Sequence, residues 1–241
     1  MDLGRTPAQA RAKGQWRNLF DALSKLGVKV ELVEQLPDQP DMVFTANAGL
    51  VKGKNFFLAH FRYKERQGEE AGFRKWFEER GYSVHTAQTG TFEGEGDALF
   101  SSPEVLFMGF GYRTDRSIAE ELATALKIKN VVPCELIDPR FYHLDTCFAP
   151  ITPNKAIFFP QAFTKDSIKR MEKQIELIAV PAEDALRFSC NAIVLEKDIV
   201  LPAGCSATET VLQGLGFHTH SVELDEYLKA GGAAKCLVLK V

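Results

Sequence analysis

The sequence predicts an α/β protein in which one strand-strand-helix-strand unit repeats around a closed ring. Three observations predict this class. A strand with polar residues at its start, followed by a short turn and a second apolar strand, occurs four times, at a spacing of about fifty residues. A stretch with helical spacing of apolar residues follows each hairpin, and a short third strand follows each helix. Five such units in a ring would leave no sheet edge exposed. An α+β domain with coincidental spacing is the alternative.

The elements follow from the same pattern. The four hairpins are predicted over residues 41–61, 92–111, 142–163 and 190–204. Helices are predicted over residues 70–80, 115–126, 165–177 and 207–215, and third strands over residues 82–85, 130–134, 178–180 and 218–222. These elements make four complete units.

The two ends of the sequence supply most of a fifth unit. A helix is predicted over residues 7–26, a strand over 28–33 and a lone strand over 236–241. When the ends are joined, Leu3-Gly4-Arg5-Thr6 aligns with Gly111-Tyr112-Arg113-Thr114, ahead of the helix in each case. One N-terminal strand of this unit is missing from the sequence, either as a real truncation or because the start site is misassigned.

Composition favours a soluble globular protein. The 241 residues are 45% hydrophobic and 25% charged, enough for one domain over 1–241 with a sizeable core. The net charge of -3 gives no reason to expect nucleic acid or an anionic membrane as a partner. No apolar run approaches the ~20 residues of a membrane helix, and the N-terminus lacks the apolar stretch of a signal peptide, so we expect a cytoplasmic protein. The five cysteines are odd in number and form no C-x-x-C pair, which predicts free thiols.

Ring closure would bring the polar starts of the first strands, here called the heads, to one end of the ring. Their residues are Asp41, Asn47, Glu93, Glu95, Asp97, His143, Asp145, Cys190, Asn191 and Cys236. Clustered carboxylates repel unless a cation lies among them, and a planar guanidinium matches carboxylates in bidentate fashion. A thiol beside an imidazole then supplies a nucleophile and a proton carrier for attack on the guanidinium carbon. A metal is the rival occupant, but no H-x-x-E-H or related spacing occurs, so we expect no metal and no other cofactor.

Four segments carry a resemblance to a known family. They are Pro40-Asp41-Met42-Val43-Phe44-Thr45-Ala46-Asn47, Phe92-Glu93-Gly94-Glu95-Gly96-Asp97, His143-Leu144-Asp145 and Gly231-Gly232-Ala233-Ala234-Lys235-Cys236. Together they span nearly the whole chain. The sequence resembles the guanidino-group-modifying, or amidinotransferase, superfamily, whose fold is the five-bladed α/β propeller called a pentein. The greatest likeness is to dimethylarginine dimethylaminohydrolase-like proteins and to the arginine deiminase and dihydrolase branch.

The resemblance implies roles for particular residues. Cys236 would be the nucleophile and His143 the acid and base, with a covalent S-alkylthiouronium intermediate. Asp145 and a glutamate would hold the guanidinium. The family's Glu-Gly-Gly-Asp differs here by one residue in length, so Glu93 and Glu95 compete, and Glu93 is preferred.

Other residues are implied as substrate ligands. Asp41 and Asn47 belong to the first head. Arg66 and Arg113 match arginines that grip the substrate's α-carboxylate, although each alone would also fit a surface position at the start of a helix. Cys147 and Cys190 are the other nucleophile candidates.

One departure bears on the product. Where deiminases carry an aspartate, this sequence has Ala46-Asn47, and an asparagine here accompanies a second hydrolysis of arginine through to ornithine in dihydrolase-like members. The expected function is therefore hydrolysis of the guanidino group of arginine or a methylated arginine, with ornithine favoured over citrulline. The alternatives are an amidinotransferase and an inactive propeller used as a binding protein, like the ribosome anti-association factor of the same fold. The expected partner is the small guanidino substrate, with no nucleic acid or membrane, and a homo-oligomer is compatible with the sequence.

Overall fold

The computed structural model describes residues 7–241, which form four three-stranded sheets with helices packed against them. The strands are β1 (Gly49–Lys52), β2 (Asn55–Leu58), β3 (Ser83–Thr86), β4 (Ala98–Ser102), β5 (Val105–Phe110), β6 (Asn130–Glu135), β7 (Phe148–Thr152), β8 (Lys155–Phe158), β9 (Glu176–Ala179), β10 (Ile193–Leu195), β11 (Asp198–Pro202) and β12 (His218–Val222). Each sheet takes three consecutive strands in order, and the middle strand is antiparallel to the first and parallel to the third. This confirms the predicted α/β fold and its four complete units.

The helices lie close to their predicted positions. They are α1 (Gln9–Lys25), α2 (Lys64–Gln67), α3 (Glu69–Glu78), α4 (Ile118–Ala125), α5 (Lys165–Glu172), α6 (Ala182–Ala185), α7 (Ser206–Gly214) and α8 (Asp225–Lys229). The helix predicted over 165–177 ends earlier because residues 176–179 pair in parallel with β8. The short helices α2, α6 and α8 were not predicted, since each is too short to show a clear apolar period.

Alternation and spacing explain how each unit packs. In the second unit, Ile118 and Leu122 lie four residues apart on α4 and pack in one cluster with Leu106 and Met108, which alternate on the middle strand β5. All four middle strands are buried over nearly their whole length because a helix covers one face and the neighbouring unit covers the other. Gly53, with φ 59°, occupies the two-residue turn between β1 and β2, where a positive φ is required.

The first α-helix of the described chain lies beside the last one. Helix α1 packs along α8, where the side chain of Arg11 donates to Asp225 at 2.8 Å and the backbone of Ala8 donates to Glu226 at 2.8 Å. The side chain of Tyr227 donates to the carbonyl of Ala12. The N-terminal helix therefore lies beside the segment that leads to the C-terminal turn.

The predicted fifth unit differs from the structure in its strands. Residues 28–33 and 238–241 run without regular secondary structure, and Cys236 lies in a 3-10 turn, Lys235–Leu237, so the strands predicted over 28–33 and 236–241 were wrong as assigned. The physical reason is that a strand needs a hydrogen-bonding neighbour, and within residues 7–241 neither segment has one. The predicted alignment of Leu3–Thr6 falls outside the described residues. In the described part of the chain, no helix is long and apolar enough to cross a bilayer.

Candidate active site

The heads contact one another in sequence order. The side chain of Asn47 donates to the carbonyl of Glu93, and the backbone of Leu144 donates to a carboxylate oxygen of Asp97. The side chain of Asn191 then donates to the carbonyl of Asp145 at 3.1 Å.

The last head closes this circle. The backbone of Cys236 donates to the side-chain oxygen of Asn191 at 3.1 Å, and the hydroxyl of Thr45 in the first head donates to the carbonyl of Leu237 at 2.9 Å. Residues about fifty apart in sequence are thereby brought together, as the predicted repeat required.

Glycines make the convergence of the heads sterically allowed. Gly94 has φ 60°, and a Cβ there would lie 2.5 Å from the carbonyl oxygen of Ala46. A Cβ on Gly96 would lie 2.2 Å from the amide nitrogen of Asn47 and 3.3 Å from the ring of His143. The alternation Glu-Gly-Glu-Gly-Asp therefore packs the second head against its two neighbours by backbone contact.

His143 lies within a group of buried acids. Its Nε2 is 2.8 Å from Oε2 of Glu93 and 4.0 Å from Oδ2 of Asp97, and all three side chains are nearly inaccessible. Burial opposes the charged imidazolium, but Asp97 and the hydrogen bond to Glu93 raise the pKa of His143 above its usual value. Burial likewise opposes the Glu93 carboxylate, yet the hydrogen bond to His143 and the charge of Arg113 hold its pKa below the usual value. The resting pair is therefore imidazolium and carboxylate.

Asp97 is the second carboxylate near His143, and two hydrogen bonds hold it in place. Its carboxylate accepts from the hydroxyl of Thr114 at 2.8 Å and from the backbone of Leu144 at 3.0 Å. Burial raises its pKa to about 7 against the opposing charge of His143.

Cys236 lies against a different carboxylate. Its Sγ is 3.1 Å from Oδ2 of Asp145 and 3.0 Å from the amide nitrogen of Asn191. Burial and the negative charge of Asp145 raise the pKa of the Cys236 thiol well above its usual value. Burial also raises the pKa of Asp145, partly offset by the charges of His143 and Lys235. In the absence of a ligand the sulfur is therefore a neutral thiol.

Asp145 retains an unused acceptor. Its Oδ1 is buried and has no hydrogen-bond partner among the described residues. A buried carboxylate oxygen without a donor is costly, so this atom marks a place where a ligand N–H would be stabilised.

Arg113 borders the histidine pair. Its Nη1 is 3.0 Å from Oε2 of Glu93, and the guanidinium lies between the rings of Tyr63 and Tyr142, 4.6 Å from each ring centroid. The side chain of Arg113 is 21% exposed, and Tyr63 is half exposed, so this arginine reaches the surface from the site.

Arg66 occupies a closed polar pocket beside the first head. It donates twice to Glu69, at 2.8 Å each, once to the side-chain oxygen of Asn47 at 2.8 Å, and to the carbonyl of Asp41. The residue is buried and its guanidinium lies 4.4 Å from the ring centroid of Phe61. Arg66 therefore orients Asn47 in this structure, and its predicted contact with a substrate carboxylate stays a prediction, as does that of Asp41.

Glu95 does not join the group around His143. Its carboxylate forms a buried ion pair with Nζ of Lys235 at 2.8 Å and accepts from the backbone of Lys240. It also lines a separate cavity of about 510 Å³, together with Leu99 and Cys190. Of the two competing glutamates, the structure brings only Glu93 to the histidine.

The two other candidate nucleophiles have different neighbours from Cys236. Cys147 contacts the carbonyls of His143 and Leu144, and burial raises the pKa of Cys147 and of Cys190. Neither thiol contacts a carboxylate as Cys236 does. In residues 7–241, no group of three His, Cys, Asp or Glu side chains is arranged to hold a metal ion.

Asn191 is the residue whose importance sequence reasoning underestimated. The sequence analysis places it in the fourth head and gives it no binding role, whereas in the structure it makes two contacts to Cys236 and one to Asp145. Its position at the head of the fourth unit, equivalent to Asn47 in the first, was the available signal.

A ring of α/β units that gathers a thiol, an imidazole and carboxylates at one end is the architecture of the guanidino-group-modifying class of proteins. The chain belongs to the N,N dimethylarginine dimethylhydrolase family, whose eukaryotic form matches residues 2–241. This confirms the predicted superfamily.

The relatives with named activities include arginine dihydrolases and dimethylarginine dimethylaminohydrolases. The chain is 42% identical over 236 residues to the bifunctional arginine dihydrolase/ornithine cyclodeaminase AgrE of Nostoc sp., covering 96% of this chain but only 33% of that protein. It is 36% identical to the N(G),N(G)-dimethylarginine dimethylaminohydrolase of Mycobacterium tuberculosis, covering 95% of this chain and 76% of the relative. The chain thus spans about a third of the bifunctional relative's length.

A solved structure matches the fold closely. The substrate-bound N-terminal domain of ArgZ, an arginine dihydrolase from cyanobacteria, superposes with a TM-score of 0.93 at 41% identity, covering 97% of this chain and 87% of that one. The predicted fold class is confirmed by this likeness, while the count of five units stays a prediction.

Proposed function

We propose that this protein is a cofactor-independent cysteine hydrolase that cleaves a C–N bond of a guanidino group, with arginine as the preferred substrate. The observation that carries the proposal is the pairing of the Cys236 sulfur with Asp145, whose second oxygen lacks a donor within the described chain. A guanidinium placed there would donate to Asp145 and set its carbon beside the sulfur. We further propose that residues 1–241 act as one domain in this reaction.

Binding of the substrate cation would activate the nucleophile. Without a ligand, burial and the Asp145 charge keep Cys236 protonated. A guanidinium beside the sulfur offsets that negative charge, so the thiol releases its proton to solvent and becomes a thiolate. Asn191, which donates to the sulfur at 3.0 Å, stabilises the thiolate further.

His143 would then act twice. The thiolate forms the C–S bond, and the resulting tetrahedral adduct loses its amine, which takes a proton from the imidazolium that Glu93 stabilises. The neutral imidazole next takes a proton from water, the hydroxide forms the C–O bond, and the C–S bond breaks to regenerate the thiolate. The amine released is ammonia from arginine and dimethylamine from dimethylarginine.

Asn47 favours a second hydrolysis, in which citrulline and water give ornithine, ammonia and carbon dioxide. Its amide is fixed at both ends, because Oδ1 accepts from Arg66 and Nδ2 donates to the carbonyl of Glu93. The substrate-bound arginine dihydrolase domain that resembles this chain at 41% identity supports arginine as substrate. Dimethylarginine is the second candidate, supported by the family match and the mycobacterial relative.

The test is incubation of the protein with arginine and, separately, with dimethylarginine, following ammonia, dimethylamine, citrulline and ornithine. Cys236→Ser is the inactive control, and acid quenching followed by mass spectrometry should reveal the covalent adduct only when Cys236 is present. Folded protein that releases no amine from either guanidine would overturn the hydrolase proposal. Citrulline without ornithine would retain the hydrolase and remove the second step. Transfer of the amidino group to added glycine would indicate an amidinotransferase instead.

A matched pair of substitutions tests the choice of glutamate. Glu93→Gln should abolish turnover because it removes the anion paired with His143. Glu95→Gln should leave turnover measurable, since Glu95 pairs with Lys235 outside the group around His143.

A further inference from the structure

Tyr142 directly precedes His143 in the chain, and its side chain reaches the segment that leads to Cys236. The hydroxyl of Tyr142 donates to the carbonyl of Gly231 at 2.7 Å, across 89 residues of sequence. Gly231 opens the run Gly-Gly-Ala-Ala-Lys-Cys that ends at Cys236. This hydrogen bond therefore joins the segment of the candidate acid and base to the segment of the candidate nucleophile.

Two neighbours fix the ring of Tyr142. The guanidinium of Arg113 lies 4.6 Å from the ring centroid, and the ring of His143 lies at a centroid distance of 4.9 Å with an interplanar angle of 57°. A cation is attracted to the face of an aromatic ring, and Arg113 is itself held by its ion pair with Glu93. The direction in which the hydroxyl points is therefore set by residues of the site itself.

Gly231 fits this hydroxyl closely. It follows helix α8 with a φ of 88°, in the left-handed region that favours glycine, and its backbone donates to the carbonyl of Leu228 at 3.1 Å. A Cβ at this position would lie 2.4 Å from the hydroxyl oxygen of Tyr142 and 3.3 Å from the nearest ring carbon. A side chain on residue 231 would therefore push the two segments apart, chiefly through its clash with the hydroxyl.

Among the described residues, two side-chain hydrogen bonds join the segment 142–145 directly to the last head and the run that leads to it. One runs from Tyr142 to Gly231, and the other joins the sulfur of Cys236 to Oδ2 of Asp145 at 3.1 Å. The second bond needs the thiol proton, because a thiolate cannot donate to a carboxylate. Desolvation and the negative charge of an ionised Cys236 raise the pKa of Tyr142 well above its usual range, so its hydroxyl remains a donor. Once the thiolate has formed, the bond from Tyr142 is the one of the two that remains.

We propose that Tyr142 is a positioning residue, whose hydroxyl holds the segment of Cys236 in place relative to His143 after the thiol has lost its proton. The inference rests on the proposed function, because it assigns Tyr142 to the step in which the thiolate attacks the guanidinium carbon. That step needs the sulfur and the proton donor in register on one substrate, and small errors in such a geometry cost large factors in rate. Tyr142 makes no bond to the substrate in this role, so it affects kcat and leaves KM nearly unchanged.

The test compares Tyr142→Phe with Tyr227→Phe in the full chain. Both substitutions remove one hydroxyl and keep the ring. The hydroxyl of Tyr227 donates to the carbonyl of Ala12 at 3.1 Å from helix α8, just ahead of Gly231, so the control loosens the same part of the chain without touching the site. Thermal unfolding, kcat and KM with arginine and with dimethylarginine, and the rate of Cys236 alkylation by iodoacetamide are measured for each chain.

We expect Tyr142→Phe to lower kcat about tenfold or more and to change KM by less than about twofold. Alkylation of Cys236 should become about fivefold faster, the factor by which loss of one hydrogen bond favours local opening of the segment. Tyr227→Phe should lower the thermal midpoint to a similar extent, while its kcat and alkylation rate stay within about twofold of those of the unsubstituted protein.

Gly231→Ala provides a second measurement. In the chain that retains Tyr142, the added Cβ meets the hydroxyl oxygen and should lower kcat about tenfold or more. In Tyr142→Phe that oxygen is absent, so the same substitution should lower kcat by less than about threefold further. The strain of alanine at a positive φ is present in both chains and cancels in the comparison. Equal losses in the two chains would overturn the proposal.

Three further results would also overturn it. One is a kcat of Tyr142→Phe within about twofold of that of the unsubstituted protein. Another is an equal loss of kcat in Tyr227→Phe, which would assign the effect to general loosening around helix α8. The third is a KM that rises as much as kcat falls, which would make Tyr142 a substrate ligand.

Failure of the proposed function has a different signature. In that case the unsubstituted protein releases no amine from either guanidine. The alkylation rates then decide the role of Tyr142 alone, and equal rates in Tyr142→Phe and Tyr227→Phe would overturn it.

Discussion

Asp145→Asn should make Cys236 more reactive towards alkylating agents while abolishing turnover of guanidines. The carboxylate oxygen lies 3.1 Å from the sulfur. At an effective dielectric constant of about 20, two unit charges at this separation repel by about 5 kcal/mol. Solvent screening and neighbouring charges reduce this repulsion severalfold, to about 2 kcal/mol, which exceeds one pKa unit. The thiolate fraction near neutral pH should therefore rise at least about tenfold.

The assay is the rate of iodoacetamide alkylation without substrate, followed by mass spectrometry of the peptide that contains Cys236. Cys236→Ser identifies any signal that arises from the four other buried thiols. The amide retains the size of the carboxyl group, so the fold should be unaffected. Alkylation at an unchanged or slower rate in folded Asp145→Asn would refute the argument that this carboxylate keeps the thiol protonated.

Three further substitutions test other contacts. Asn191→Ala removes the donor to the nucleophile sulfur and should lower kcat about tenfold to a hundredfold with little change in KM; an unchanged kcat would contradict its role. Arg66→Met leaves the buried Glu69 unpaired and should lower the free energy of unfolding, measured in urea, by about 3–5 kcal/mol. Adding Glu69→Met should restore most of this loss. A double variant as unstable as the single one would contradict the argument. The folded pKa of His143 is raised, so its charged form contributes fully to stability below its unfolded pKa. Glu93→Gln should therefore lower the free energy of unfolding most near about pH 6, and less as pH rises through the folded pKa of His143. A loss of stability that does not depend on pH between about pH 6 and 10 would contradict the pairing of Glu93 with His143.

The repeated helices, hairpins and buried strands were predictable from the sequence because each depends on residues close together in the chain. The hairpin at Gly53, the helix spacing of Ile118 and Leu122, and the buried middle strands all follow from turn chemistry and apolar alternation. The repeat then placed Cys236 near Asp145 without any knowledge of side-chain orientation.

Pairings that depend on side-chain direction were not predictable. Glu93 and Glu95 are two residues apart, yet one contacts His143 and the other contacts Lys235. The reason is that the 3-10 turn Gly94–Gly96 begins directly after Glu93 and contains Glu95, so the alternation of a strand is lost. Arg66 gave no sign in the sequence that Glu69, one helical turn away, would bind it in a buried pocket. The end strands failed as predictions because strand formation depends on a neighbour and not on the segment alone.

Helix α1 contacts helix α8, and Thr45 donates to the carbonyl of Leu237, so residues from the two halves of the sequence lie side by side. This arrangement predicts that the protein tolerates circular permutation. Each head contacts the next one and the last contacts the first, so the contacts between heads do not depend on where the chain begins. A circularly permuted chain, opened at the exposed Gly53–Lys54 turn and tethered across its former ends, should retain every bond between heads. In such permutants a different unit would be synthesised first or last, and the same candidate catalytic residues would still come together.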